Sequence, residues 1–376
     1  MPVIAVNLAA ALFSKVTELV DHGLYASPEQ FLEIAVFNQL ALERGSRPED
    51  LVAQVSPPRL AEKATSKRLA RRKPKRSRRH SAQELSSRSS PIARVSGRRG
   101  VSKKEVGETL KRLALSRAHE AVPEPVPIAV RPATERLWGQ VNRLFPLKFG
   151  CRWILVANAG RRDWQRYDAI SDQLADDAAT LGSHLEAADT LLGRQRDDLL
   201  SRGLPRRGNS ASRDRFLSQF IARTTRSAEI YPGAICQYAL AAFDGDHLAL
   251  TERGIELARL PNPVLDTNSD DATATLSDSE RAFFVEQVLQ YAPGEVRDLG
   301  TVLKAVLAGQ VTPDDMFDAV RTQFPAEWTD VMARTHVSGL VARLGEMALL
   351  RRRWAGRNVS YEPAVRATEL VGLLER

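Results

Sequence analysis

Between Pro57 and Lys104 the chain has almost nothing with which to build a core. These positions hold 17 Lys and Arg against Glu62 and Glu84, a net charge of +15. The densest run, from Lys67 to His80, reads KRLARRKPKRSRRH, and Ser-rich and Gly-Arg sequence follows it. A segment this charged cannot bury enough apolar surface to offset its conformational entropy. Disorder is expected there, with helix only around Leu60–Arg72. A chain of 376 residues interrupted in this way must fold as separate pieces. The whole chain is +8, so everything outside the segment sums to −7. Lys67, Arg68, Arg71, Arg72, Lys73, Lys75, Arg76, Arg78 and Arg79 are candidate contacts to a polyanion, made without reading sequence. The plain alternative is a solvated, extended spacer.

Several function classes lack their signatures. The sequence has no GxxxxGK[ST], GxGxxG after a strand, HExxH or GxSxG. Its six histidines (22, 80, 119, 184, 247 and 336) are scattered. Asp176-Asp177, Asp197-Asp198, Asp270-Asp271 and Asp314-Asp315 fall at helix starts, on helix surfaces and in polar linkers, which favours structural roles over metal binding. Cys151 and Cys236 are isolated, as expected of a reducing cytoplasm without structural zinc. No run of about 18 apolar residues predicts a transmembrane helix. No basic region precedes the first apolar stretch, so no secretory signal is expected. A non-catalytic protein without metal or cofactor is the expectation.

The first residues carry a different pattern. Val3-Ile4-Ala5-Val6-Asn7-Leu8 alternates and is β-branched, which suits a strand. From Leu12 the period becomes helical, with Leu12, Val16, Leu19 and Val20 on one face and Gly23 as a left-handed stop. Ser27-Pro28-Glu29-Gln30 opens a second helix. Ser27 suits the N-cap, Pro28 the first helical position, and Gln30 the place where a capping box takes Glu or Gln. Phe31, Ile34, Ala35, Leu40 and Leu42 then offer more apolar surface than fewer than about 50 residues can bury alone. Over residues 3–44 this order resembles the ribbon–helix–helix family. The resemblance implies an obligate homodimer through residues 1–46, whose paired strands turn Val3, Ala5 and Asn7 toward the major groove. Of these only Asn7 is a base-reading type. Residues 1–46 are net −3, so dimerisation alone is the competing role.

Beyond the basic segment, residues 101–120 read as one short helix and the proline-spaced 121–132 as a stiff connector. A Thr134-capped helix is expected to carry Leu137, Trp138, Val141, Leu144 and Phe145 and to end at Pro146. Phe149–Ala159 is apolar enough for a buried helix or strand, helix being favoured, and Ile170–Leu200 reads as a long, mostly polar helix. Phe216, Leu217, Phe220 and Ile221 mark another helix, and Ile235, Tyr238 and Leu240 the next. Asp244-Gly245 is a hairpin signal, and a helix capped by Thr251 follows. This helix, hairpin and LTERGIELA phrase (250–258) resembles the wing and following helix of winged-helix domains.

The same order recurs further on. Ser277 and Ser279 are candidate caps for a helix with Phe283, Phe284, Val288 and Leu289. Helices near Leu299–Leu307 and from Thr312 follow. Val337, Leu340, Val341, Leu344 and Ala348 then share a face, and Arg351–Tyr361 reads as a hairpin turning near Ala355-Gly356, with Arg352, Arg353 and Arg357 on its flanks. This too resembles a winged helix, with Thr335–Leu349 in the recognition-helix position. The resemblance implies DNA contacts from His336, Ser338, Arg343, Arg353 and Arg357. The first such unit offers only Cys236, Gln237 and Ala241 beside an acidic turn. For both units, protein contact is the alternative role, since a charged wing is also a normal solvated edge.

These readings give a mainly α chain in four parts. Residues 1–46 form a ribbon–helix–helix, and 47–131 a disordered basic linker with a short helix. Residues 132–262 form a helical domain ending in a winged-helix-type hairpin, and 263–376 a second winged-helix-type α+β module. Arg-rich, Ala- and Leu-rich composition beside a ribbon–helix–helix start points to a prokaryote. The expected protein is a cytoplasmic, nucleoid-associated homodimer on double-stranded DNA, most simply a transcriptional regulator. The alternative is a scaffold or accessory subunit of a DNA-processing or phage-defence assembly, tethered to nucleic acid by its linker and holding a protein partner with its winged helices.

Overall fold

The computed structural model describes residues 101–128, 136–137, 141–194, 198–225, 229–266, 272–326, 328–355 and 358–374, with Phe13, Ser14, Val16, Thr17, Pro28 and Leu32. The chain divides into two units, Met1–Arg94 and Val95–Arg376. In the first, Phe13, Ser14, Val16 and Thr17 are helical, as are Pro28 and Leu32. Thr17 Oγ1 donates to the Phe13 carbonyl at 3.0 Å. The strand expected over 3–8, Asn7 within it, and Lys67–Arg79 lie outside the described residues.

The second unit is mainly helical. Its elements are α1 (Lys103–Arg112), α2 (Leu115–Ala118), α3 (Phe145–Ala157), α4 (Tyr167–Leu191), α5 (Ser210–Phe216), β1 (Ala222–Thr224), β2 (Ile230–Pro232), α6 (Ala234–Gln237), β3 (Ala241–Asp244), β4 (His247–Leu250), α7 (Glu252–Arg259), α8 (Asp278–Tyr291), α9 (Pro293–Leu307), α10 (Pro313–Val320), α11 (Asp330–Glu346), β5 (Leu350–Ala355), β6 (Asn358–Pro363) and α12 (Val365–Leu374). A π-helical turn, Leu217–Ile221, continues α5. The strands pair as three antiparallel two-stranded sheets.

A helix that is apolar on every side belongs in the interior. Every residue of α3 from Phe145 to Val156 is buried. Two of them, Lys148 and Arg152, are cations one turn apart, and both reach the C-terminus of α7. Lys148 Nζ donates to the carbonyls of Leu257 (2.7 Å) and Leu260 (2.5 Å) and pairs with Glu280 at 2.9 Å. Arg152 donates to the carbonyls of Ala258, Leu113 and Leu260 and forms a fork on Asp266 at 2.7 and 3.0 Å. Cations at a helix C-terminus oppose its dipole and satisfy its orphan carbonyls. Burial lowers the Lys148 ammonium to about 8, against the pull of Glu280. Glu280 is also the third residue of α8 and closes a capping box with Ser277. The boundary expected between 262 and 263 is therefore crossed by buried ion pairs, and one apolar core runs from Leu113 to Leu370.

Several elements differ from the sequence expectation. Residues 101–120 form two helices, because the chain turns at Leu113 and Ala114. The proline-spaced stretch is fixed along the first hairpin: Val126 N–H donates to Leu250 O, and Trp164 Nε1 donates to Glu124 O at 2.8 Å. Around Pro146 the expectation reverses. Arg136, Leu137 and Val141–Leu144 are not helical, and Pro146 stands in the first turn of α3 instead of ending a helix. The reason lies in α11. Its Arg343 takes the Val141 carbonyl, and its Glu346 takes the Leu144 N–H at 3.1 Å, so these backbone groups are held by side chains. In the first turn of a helix the backbone N–H groups have no intrahelical partner, so proline loses no bond there. The helix carrying Ile235 stops at Gln237, before Tyr238 and Leu240, because Ala239 turns left-handed.

The LTERGIELA phrase has a local explanation. Thr251 Oγ1 donates to Ala239 O at 2.8 Å and accepts from Gly254 N–H at 3.1 Å, capping α7. Gly254 faces the Leu240 carbonyl so closely that a Cβ there would sit 1.9 Å from it.

Candidate nucleic-acid interface

The hairpin β5–β6 is where exposed cations concentrate on one element. Leu350 opposes Pro363 and Ala355 opposes Asn358. Strand alternation sorts its side chains into two faces. Arg351 and Arg353 share one face with Ser360 and Glu362. Arg352 and Trp354 share the other with Val359 and Tyr361. Arg351, Arg352, Arg353 and Trp354 are all exposed. Arg353 Nε pairs with Glu362 at 2.8 Å, an exposed contact worth little. Arg351 has no ion pair among the described residues. Pro363 ends the second strand, and the Tyr361 N–H donates to Val311 O, anchoring β6 beside α10. No backbone bond joins the outer edge of β5 to other described residues.

The helix before the hairpin corrects two sequence expectations. His336 and Arg343 do not reach a groove: both are buried in the interior face of α11. His336 Nε2 shares a hydrogen bond with Asp298 Oδ2 at 2.9 Å, and its ring packs edge-on against Phe324 and Trp328. Asp298 also accepts from Arg136 at 2.9 Å. Burial opposes ionisation of Asp298, but the His336 hydrogen bond and the Arg136 charge prevail and hold its carboxyl below the usual value. Arg343 Nε and Nη2 form a fork on Glu295 at 2.5 and 3.1 Å. The two residues are seven apart, on the same side of the helix as Leu340. The apolar stripe is thus wider than Val337, Leu340, Val341 and Leu344 alone.

What α11 leaves exposed is Asp330, paired with Arg321 at 3.0 Å, and a narrow strip of Arg334, Thr335, Ser338 and Gly345. Of the expected contacts on this helix, Ser338 remains on the surface. Arg334 is held by Asp314 at 2.6 Å and lies 4.0 Å from the centroid of Phe317. Arg353 is on the hairpin as expected, and Arg357 lies outside the described residues. Arg351, Arg352 and Trp354 were missing from the expected contacts. Their signal was the unbroken RRRW run at the start of a strand, whose alternation sends Arg351 and Arg353 to one side and Arg352 and Trp354 to the other.

The first hairpin differs in chemistry. Gly245 and Asp246 make its two-residue turn after Asp244, and Gly245 takes the positive φ of 60° that such a turn demands. Asp246 pairs with Arg166 at 3.0 Å and with His247 at 3.1 Å. Its outer edge is covered: Leu248 N–H donates to Gln165 O, and Tyr167 N–H donates to Asp246 O. Cys236 and Ala241 are buried.

Of the acidic pairs, Asp197, Asp270 and Asp271 lie outside the described residues, and Asp177 is held among its neighbours. Asp177 accepts from Trp153 Nε1 (2.8 Å), Arg112 (2.5 Å) and Gln173 (3.2 Å), fixing α1 against α3 and α4. Among the described residues no group of His, Cys, Asp and Glu is arranged to hold a metal ion. No described helix is long and apolar enough to cross a membrane. Comparison with protein-family models, curated proteins and solved structures finds no match for this chain.

Proposed function

We propose that the chain is a non-catalytic DNA-binding protein, most simply a transcriptional regulator, dimerised through residues 1–46. The observation that carries this reading is the exposed Arg351-Arg352-Arg353-Trp354 strand on a hairpin anchored directly behind α11. Cations on a protruding two-stranded ribbon meet phosphate along a groove edge. Ser338 supplies a hydrogen-bonding group on the helix beside it. The +15 segment supports the reading through sequence-blind phosphate affinity that keeps the protein near DNA while the folded unit selects a site.

The scaffold reading draws on one observation. Buried residues occupy more than half of the circumference of α11, and its exposed Arg334 is engaged by Asp314. A helix so committed to its own core reads few bases, and the module then serves a protein partner.

Fluorescence-anisotropy binding to the duplex upstream of the protein's own gene and to a scrambled duplex separates the two. The full chain is compared with a version lacking residues 57–104. A preference for the upstream duplex that survives the deletion supports the regulator. Loss of all binding with the segment, with no preference at any salt concentration, leaves the scaffold.

A further inference from the structure

The hairpin carries a second arrangement, on the face opposite Arg351 and Arg353. The Arg352 guanidinium lies 4.5 Å from the centroid of the Trp354 ring and 5.9 Å from that of Tyr361. The register sets Arg352 directly opposite Tyr361, and Trp354 opposite Val359. The row runs outward from buried Leu350 through half-buried Tyr361 to Trp354, which is 54% exposed. A cation held over an indole fixes the ring's orientation. The result is a flat aromatic surface, presented to solvent at the outer part of the ribbon, with Arg352 against it and Arg351 and Arg353 on the ribbon's other face.

The ligand that fits is one with planar rings on an anionic backbone. Nucleic-acid bases stack on such side chains while arginines follow the phosphates. A regular duplex presents base edges and keeps base faces inside its own stack. It therefore has little use for Trp354. Nucleic acid with unpaired bases offers those faces. The charge of the hairpin favours this partner over a protein surface, since Glu362 is the only acid on its described strands.

We infer that Trp354, oriented by Arg352 and Tyr361, is a base-stacking site that makes the protein prefer DNA with unpaired bases over regular duplex. The inference rests on the reading that the hairpin contacts DNA. The test keeps the two separate. Full-length wild type, Trp354→Ala, Trp354→Phe and the double variant Arg351→Ala/Arg353→Ala are titrated against a labelled duplex and against the same duplex with a central unpaired bubble. Wild type binds the bubble more tightly. Trp354→Ala loses roughly 5- to 150-fold on the bubble, the range expected for one stacked base, and stays within about two-fold on the duplex. Trp354→Phe keeps most of the preference. Trp354 is exposed, so an unchanged thermal midpoint is expected of both of its variants.

Equal losses by Trp354→Ala on both probes, or no bubble preference in wild type, overturn the stacking site. The hairpin–DNA reading then still stands if Arg351→Ala/Arg353→Ala weakens both probes. If that double variant weakens neither, the hairpin reading itself falls. If Trp354→Ala leaves both probes unchanged but alters the sedimenting species, Trp354 is a protein contact and the inference is wrong.

Discussion

Ala239 and Ala348 occupy the same place in two successive helix–hairpin junctions, with φ of 54° and 56°. In each, the next residue, Leu240 or Leu349, donates its N–H back to the helix, to Ile235 O or Leu344 O. The carbonyl of that same leucine accepts from the residue after the second strand, Thr251 or Ala364. Both hairpins are therefore closed at the base in one way, a left-handed helix cap continued into a ribbon. Their chemistry then diverges. The first turns on Asp244 and Asp246 with a covered edge, and the second carries three arginines and Trp354. This is why nucleic-acid contact is proposed for the second alone.

The left-handed alanine is a local cost that glycine removes. The αL conformation is disfavoured by about 1–2 kcal/mol for a residue with a Cβ. Part of that is offset because glycine has more freedom in the unfolded chain. Ala348→Gly is expected to raise stability by about 0.5–1 kcal/mol in urea unfolding, and Ala348→Val to lower it.

The Lys148–Glu280 pair is buried on both sides. Removing one partner strands a charge in the interior. Lys148→Met is expected to cost about 3–5 kcal/mol. Lys148→Met combined with Glu280→Gln should recover a large part of this, because the amide still accepts from Ser277 N–H and Asn262, which now contact Glu280 at 2.7 and 2.9 Å. A double-mutant cycle by denaturant unfolding measures the coupling.

Acid sensitivity follows from Asp298 and Asp189. Burial works against both carboxylates, and their hydrogen bonds and arginine neighbours overcome it, so both sit below the ordinary value of 3.8. A carboxylate with a depressed folded value contributes stability above its unfolded value and loses it as pH falls through the folded one. Stability is therefore expected to be level above about pH 5 and to drop below about pH 4. Asp298→Asn should be less stable at neutral pH and less acid-sensitive, measured by thermal unfolding across this range.

The sequence made the local features legible. Thr251, Ser277 and Thr312 cap α7, α8 and α10 as their spacing predicts, because a cap is decided within four residues. Both hairpins were legible for the same reason. The inward charges were not. His336 meets Asp298 across 38 residues, and Arg343 meets Glu295 across 48. A charged residue on a helix reads as surface until such a partner is known. Pro146 was misread because starting and stopping a helix use the same property of proline, and only the distant Arg343 and Glu346 decide between them.

The most direct test of the account is the salt dependence of duplex binding by full-length protein and by Arg351→Ala/Arg353→Ala, each with and without residues 57–104. Each lost phosphate contact lowers the slope of log K against log salt by about 0.9. The account predicts a slope lower by about one to two units in the double variant, in both backgrounds. Identical slopes and affinities with and without the two arginines would contradict it, and would leave the hairpin no part in holding DNA.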